Sequence, residues 1–288
     1  MSAQGMQASP PPAYRVVGPR AVSGSPQRFF HLAVTLAVLD WKLRFFGSVL
    51  GYFWSLLRPL MLFGILYVVF SKVVRVGGTV ENYPLQLLIG VFLFTYFSEV
   101  ASRAVTSMVD EEALIRKVSF PRMVIPVSVA LASSFNLVLN LVTVGAFVVG
   151  SGVDPRASWL LVPIPLVVLV VLATGVAMLV SALYVSFRDA QPILEVVLQA
   201  VFYATPVFYP VQLLLDYDQG VGHAAMANPM ATIIVEARHL IMGDAAPSAA
   251  SAIGGTGRLL IPLGILAAIT VLGFAVFNRM APRVAESL

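Results

Sequence analysis

The sequence has no cysteine, only three histidines and little charge, and each shortage removes a class of protein. Without cysteine there is no disulfide framework, thiolate zinc site or thiol nucleophile. His31, His223 and His239 lie too far apart to make a metal-binding motif. Charged residues are 11% of the 288-residue chain, against about 25% in soluble domains. The phosphate-cradling pattern G-x-x-x-x-G-K-[ST] is missing. The nearest glycine cluster, Gly254-Gly255-Thr256-Gly257-Arg258, lacks both the lysine and the spacing. No repeat relates the two halves, which argues against an inverted-repeat secondary transporter.

What fills the chain is apolar. Hydrophobic residues are 59% of it, more than one soluble core of this length could hide. The apolar runs are Leu50–Val74, Pro84–Ser107, Met123–Gly150, Trp159–Ser186, Val196–Leu215 and Leu259–Phe277. Each is close to the ~20 residues that cross a ~30 Å hydrocarbon layer. Because lipid offers the backbone no hydrogen bonds, the spans must be helices. The expected fold is an all-α integral membrane protein with six transmembrane helices.

The formal charge of +4 could point to nucleic acid. The cations instead occupy short loops between apolar runs, so no nucleic-acid partner is expected. With the N-terminus inside, only Lys72, Arg75, Arg156, Arg238 and Arg258 of the 18 cations fall outside. The positive-inside rule therefore puts both termini in the cytosol, with Asp154 and Asp218 external. Residues 1–27 are rich in Pro, Ser and Gly without apolar periodicity, and read as a flexible cytosolic tail with no signal-peptide pattern. From about 28 to 49, Phe29, Phe30, Trp41, Phe45 and Phe46 are interrupted by Asp40, Lys42 and Arg44. That mixture is too polar for a comfortable span and suits an amphipathic interfacial helix, although a plain lead-in to the first span has the same composition.

Three groups of residues are candidates for function. In the loop at about 108–122, Asp110, Glu111 and Glu112 precede Arg116 and Lys117, which suits a short helix ended by Pro121. Leu114, Ile115, Phe120 and Arg122 complete a charged knob that could seat on a partner, or simply anchor the loop inside. In the second span, Glu99 and Arg103 are four apart and can pair on one helical face. With Arg58 they either border an entrance for an anionic lipid head group or snorkel to the interface. Phe202, Tyr203, Phe208 and Tyr209 flank Pro206 and Pro210, which should kink or break the fifth span. Backbone broken at that depth must line protein or water, so these rings could line a sugar path, or belong to an interfacial belt. The segment at about 211–258 reads as an external loop with a short external or re-entrant helix at Ala231–Met242. Asp216 and Asp218 within it are a solvated turn rather than a catalytic pair.

The stretch Leu39-Asp40-Trp41-Lys42-Leu43-Arg44-Phe45-Phe46-Gly47-Ser48-Val49-Leu50-Gly51, followed by Trp54 and Pro59, resembles the opening of polysaccharide-export permeases of the type-two ABC transporter family. Leu114 to Arg122, Phe187-Arg188-Asp189, Phe202 to Val207 and Asn228-Pro229-Met230 resemble later stretches of the same family, in the same order. The resemblance covers about residue 28 to the C-terminus. It implies a permease domain over 28–288, in a bacterial inner-membrane homodimer that exports a lipid-linked polysaccharide. O-antigen, teichoic acid and galactan are the substrate types. It implies that a separate ATPase subunit binds ATP and magnesium, that this chain binds no cofactor, and that the 114–122 loop docks the ATPase. Two other classes stand beside it: a drug or small-lipid exporter permease, and a membrane enzyme acting on polyprenyl phosphates. Such an enzyme should cluster acids, bases and metal ligands at one membrane face, and this sequence does not.

Overall fold

The computed structural model describes residues 25–45, 51–75, 80–117 and 120–287. The tail expected at 1–27 lies almost wholly outside them, as do Phe46 to Leu50, Val118 and Ser119 of the family-like stretches. The described residues are helical, with no strand among them. α1 (Pro26–Phe45) is followed by α2 (Gly51–Tyr67), which continues through a wide π turn at Val68–Val73. α3 (Tyr83–Asp110) and the six-residue α4 (Glu112–Lys117) come next, then α5 (Val124–Gly150) and α6 (Pro163–Ser186). Beyond them lie α7 (Ala190–Ala204), α8 (Val211–Tyr217), α9 (Gln219–Ala225), α10 (Pro229–Met242), α11 (Ala249–Ala252) and α12 (Leu260–Ser287).

Among the described residues, five helices are long and apolar enough to cross a membrane: α2 with its π turn, α3, α5, α6 with the turn before it, and α12. They match five of the expected runs. The remaining run, Val196–Leu215, falls on α7, an apolar helix of 15 residues, and on the break after it. A helix of that length rises about 22 Å, short of the hydrocarbon layer.

α3 is the axis of the fold. It packs on α5, α6, α7 and α10, and most of its length is buried. α2 and α12 leave almost all of their apolar length uncovered, as lipid-facing or partner-facing helices do. α6 and α12 approach closely because small residues meet: the missing Cβ of Gly273 would strike the carbonyl oxygen of Gly175, and one on Gly175 would lie 2.9 Å from Thr270 Cα. Where lipid provides no hydrophobic drive between helices, such backbone-to-backbone contact is what dispersion forces need.

The break after α7 is held rather than loose. Arg238 of α10, 3% exposed, donates from Nη2 to the Val207 carbonyl (2.6 Å) and from Nε to the Gln86 carbonyl (2.8 Å). Tyr83 Oη donates to the Phe208 carbonyl at 2.7 Å, and Asn228 Nδ2 to Thr205 Oγ1 at 2.8 Å. Thus the Val207 and Phe208 carbonyls, in the non-helical stretch between Pro206 and Pro210, find donors inside the protein. Gly90 makes room for this: a Cβ there would meet the Val207 carbonyl and lie 2.5 Å from Arg238 Nη2. α10, the helix expected at Ala231–Met242, starts at the Asn228 cap and ends under Ser158 Oγ and Trp159 Nε1, which donate to Leu240 and Ile241 carbonyls at 2.8 and 3.0 Å.

Candidate functional site

α1, α2, α3, α5 and α7 surround a cavity of about 1190 Å³. One wall is ionic. α1 supplies Asp40 and Arg44 on one face, since i and i+4 are neighbours on a helix. α3 supplies Glu99 and Arg103 in the same way, and α5 supplies Ser133 and Asn136. Arg44 Nη1 donates to Glu99 Oε1 at 2.5 Å, and Arg103 Nη2 to Asp40 Oδ2 at 2.5 Å. Asn136 Nδ2 and Ser133 Oγ also donate to Glu99 Oε1, at 3.0 and 3.2 Å. Trp41 Nε1 donates to Asn136 Oδ1 at 3.3 Å and its ring lies 5.3 Å from that of Phe135. α1 is therefore fixed to the α3–α5 pair by charge and by an aromatic contact.

This arrangement corrects one expectation. Glu99 and Arg103 do not pair with each other; each takes a partner on α1. Two opposite charges on one helix would satisfy each other only along its surface, whereas crossed pairs also tie two helices together. Asp40, Arg44, Ser133 and Asn136 went unrecognised as site residues. Their signal was there: ionisable groups next to spans need partners, and Asp40/Arg44 and Glu99/Arg103 carry the same acid-then-base order at the same spacing, so each acid can meet the other pair's base.

Arg58, on α2, faces the cavity with Trp54 and Ser55. All three head-group candidates, Arg58, Glu99 and Arg103, thus line one space. At its other end are Phe94 and Phe202. A smaller cavity of about 270 Å³ shares Phe94, Ser98, Ser102 and Phe202 with the first and adds Glu195, Gln199 and Tyr203. From there an aromatic run continues. Phe202 lies 5.1 Å from Phe94 and 5.5 Å from Phe208, measured between ring centroids, and Phe208 lies 5.0 Å from Tyr209 and 4.9 Å from Phe70. Tyr203 is 58% exposed, with Phe202, Phe208 and Tyr209 half-buried. The two candidate groups, ionic and aromatic, border one cavity and are linked through Phe202, which lines it.

The loop candidates form a separate place. The short helix is present as α4, and Arg116 Nη2 pairs with Glu112 Oε1 at 2.6 Å, the i,i+4 pair the charge order implies. The knob is smaller than expected. Ile115, Phe120 and Arg122 are buried, the first two in a cluster with Ala33 of α1, Met108 of α3 and Phe277 of α12. Apolar side chains on a loop at the foot of a bundle gain more from that cluster than from water, so they hold the loop. Leu114 and Pro121 are half-buried, and Arg116 and Lys117 are exposed. Burial pushes the Arg122 guanidinium below its ordinary pKa. Asp218 caps α9 by accepting from Val221 N at 3.0 Å, and Asp216 is exposed, so the two acids do not form a site.

The pattern of the family described as ABC-2 type transporter matches residues 32–242. Two relatives from Klebsiella pneumoniae, each called O-antigen export system permease protein RfbA, are 31% identical over 261 residues and 30% identical over 262. Each alignment spans 90% of this chain and 95% of the relative. A protein of the same name from Myxococcus xanthus is 28% identical over 263 residues, spanning 89% of this chain and 95% of its own length.

Proposed function

The chain belongs to the ABC-2 type transporter family, and from that premise we propose that it is the membrane subunit of an exporter carrying a lipid-linked polysaccharide across the bacterial inner membrane. A separate ATPase subunit binds ATP and magnesium and drives transport. Two copies of this chain form the pathway. Both termini lie in the cytosol, α1 lies along the inner interface, and α7 with its break completes a sixth crossing.

The observation that carries this reading is the cavity, ionic at one end and aromatic at the other. A lipid diphosphate needs fixed cations, and Arg44, Arg58 and Arg103 are at the end of α3 nearer the docking loop. A glycan needs contacts weak enough to release, and aromatic faces stacked on sugar C–H groups supply them without fixing a sequence. Serines and glutamine along α3 and α7 (Ser98, Ser102, Gln199) give hydroxyls a polar alternative to water between the two ends. The O-antigen export named for the relatives fits such a substrate; teichoic acid and galactan share the same chemistry. ATPase docking falls to the exposed part of the loop, Leu114, Arg116, Lys117 and Pro121, backed by Ile115, Phe120 and Arg122.

The test is made in the producing bacterium. Removing the chain should abolish surface glycan while its lipid-linked form accumulates inside, and restoring it should reverse both. Surface glycan that persists in the absence of the chain contradicts the proposal. Replacing Tyr203 and Phe208 by Ala should slow export without affecting complex assembly.

A further inference from the structure

The two acids of the ionic wall are held differently. Glu99 Oε1 accepts from one cation and from two neutral donors on α5, Ser133 and Asn136. Among the described residues, Asp40 Oδ2 is held by cations alone, Arg103 at 2.5 Å and Arg44 at 3.8 Å, and its side chain is 41% exposed against 23% for Glu99. If its arginine turned away, Glu99 would keep two hydrogen bonds, whereas Asp40 would return to solvent. A carboxylate held only by guanidinium groups is open to exchange with an anion of higher charge.

The surroundings favour that exchange. Three cations, Arg44, Arg58 and Arg103, face two acids across the cavity, and Arg58 makes no ion pair among the described residues. Asp40 also lies near other acids: burial raises the Glu111 carboxyl above its ordinary pKa, and the charges of Asp40 and then Asp110 add to the effect. Asp40 leaving would relieve repulsion; Glu99 leaving would strand two donors.

We propose that the Asp40–Arg103 pair is an exchangeable lock, in which the diphosphate group of a lipid carrier displaces Asp40 from Arg103, takes Arg58 as a second cation, and so releases one of the two ionic ties between α1 and α3, leaving α1 to pivot on the other. The Arg44–Glu99–Ser133–Asn136 group stays intact and keeps the wall in place. The inference rests on the export reading and adds to it the event by which substrate moves a helix. α1 then carries the event to the docking loop, because Ala33 is buried in one cluster with Ile115 and Phe120, and Phe29, Leu32 and Leu36 pack against it.

The full chain in nanodiscs tests this with three probes: polyprenyl diphosphate in the bilayer, phosphatidylglycerol in the bilayer, and inorganic pyrophosphate in solution. Binding is read by titration. Movement of α1 is read by spin labels at Leu43→Cys and Leu183→Cys, both exposed positions in a cysteine-free chain. Wild-type protein should bind polyprenyl diphosphate with a change in label distance and bind phosphatidylglycerol far more weakly. Asp40→Asn removes the competing anion of a partly exposed pair, so binding should tighten about fivefold, with the bound label distance already present in the empty protein. Glu99→Gln should bind no tighter, and Arg103→Gln should lose binding. Competition by inorganic pyrophosphate assigns the exchange to the phosphates themselves; exchange by the lipid form alone assigns it to the membrane-bound carrier. Either result supports the lock. If Asp40→Asn does not fold, Arg58→Gln decides, since it lies outside both pairs. Binding should then weaken about fivefold with α1 unmoved in the empty protein, and unchanged binding overturns the proposal. Equal affinity of wild type and Asp40→Asn, or an α1 that stays still on binding, overturns the lock and leaves the export reading standing. Wild-type protein that binds none of the three probes overturns the lock together with the head-group entrance.

Discussion

Arginines meet both ends of α3, and they are held in opposite ways. At the Tyr83 end, Arg238 is buried, pairs with no acid among the described residues, and donates to the backbone carbonyls of Gln86 and Val207 across the gap left by Gly90. At the Asp110 end, Arg44 and Arg103 are about one-quarter exposed, pair with acids, and border a large cavity. A guanidinium enclosed with carbonyls has nothing to exchange with, so it works as a fixed clamp on the broken segment after α7. A guanidinium beside water can trade one anion for another. The same residue type is structural at one end and available for binding at the other, and its surroundings make the difference.

The largest effect should come from breaking the clamp. Arg238→Ala leaves two buried carbonyls unsatisfied, a loss of about 3 kcal/mol or more given ~1–3 for each. Gly90→Val should act similarly by pushing the Val207 carbonyl and Arg238 apart. Thermal unfolding in detergent should show both as clear falls in midpoint. A midpoint unchanged by Arg238→Ala would mean that the two ends of α3 do not differ as described.

The ionic end should tolerate more. Glu99→Gln weakens the Arg44 contact and its three-donor group, at about 1–2 kcal/mol, while Asp40→Asn costs under about 1 kcal/mol as a half-exposed pair. The order of the two midpoints sharpens the comparison: Asp40→Asn at or above Glu99→Gln is expected, and the reverse order would identify Asp40 as the fixed partner.

Smaller still is the effect of the loop charges on stability. Arg116→Glu with Lys117→Glu breaks an exposed i,i+4 pair worth about 0.5 kcal/mol, so the midpoint should hardly move. Recovery of the ATPase in co-purification should nevertheless fall sharply. Equal recovery would take docking away from α4.

The smallest effect is pH-dependent. Burial first, then the charges of Asp40 and Asp110, raise the Glu111 carboxyl. A raised carboxyl favours the folded state while protonated. That contribution is complete below the unfolded value near ~4.3 and is lost as pH rises through the folded value. Glu111→Gln should therefore match wild type in acid and be slightly more stable at neutral pH. A neutral-pH midpoint below wild type would contradict the acidic surroundings assigned to Asp40.

The long spans were legible in sequence because lipid demands about 20 apolar residues whatever the packing, and α3, α5, α6 and α12 begin or end within a few residues of their apolar runs. The break at Pro206 and Pro210 was legible too, because two prolines four residues apart withdraw two backbone donors from the same stretch of helix. What holds the break was not: Arg238 reads as one more loop cation until α10 folds against α3. The crossed pairs were hidden for a related reason. Local spacing suggests Glu99 with Arg103, and only the packing of α1 on α5 brings Asp40 and Arg44 close enough to compete. The inward turn of Ile115 and Phe120 likewise depends on Ala33 and Phe277, distant in sequence and adjacent in space.

The central claim is that this chain, with a separate ATPase, moves a lipid-linked glycan across a bilayer. Its most direct measurement uses proteoliposomes holding the chain and its ATPase, with a polyprenyl-diphosphate glycan in the leaflet on the ATPase side. Glycan reaching the opposite side is read by a membrane-impermeant glycosidase. The account predicts glycan release that requires ATP and magnesium and is lost in Arg58→Gln/Arg103→Gln protein. Release independent of ATP, or transport of small lipids or drugs with none of the glycan, would contradict it.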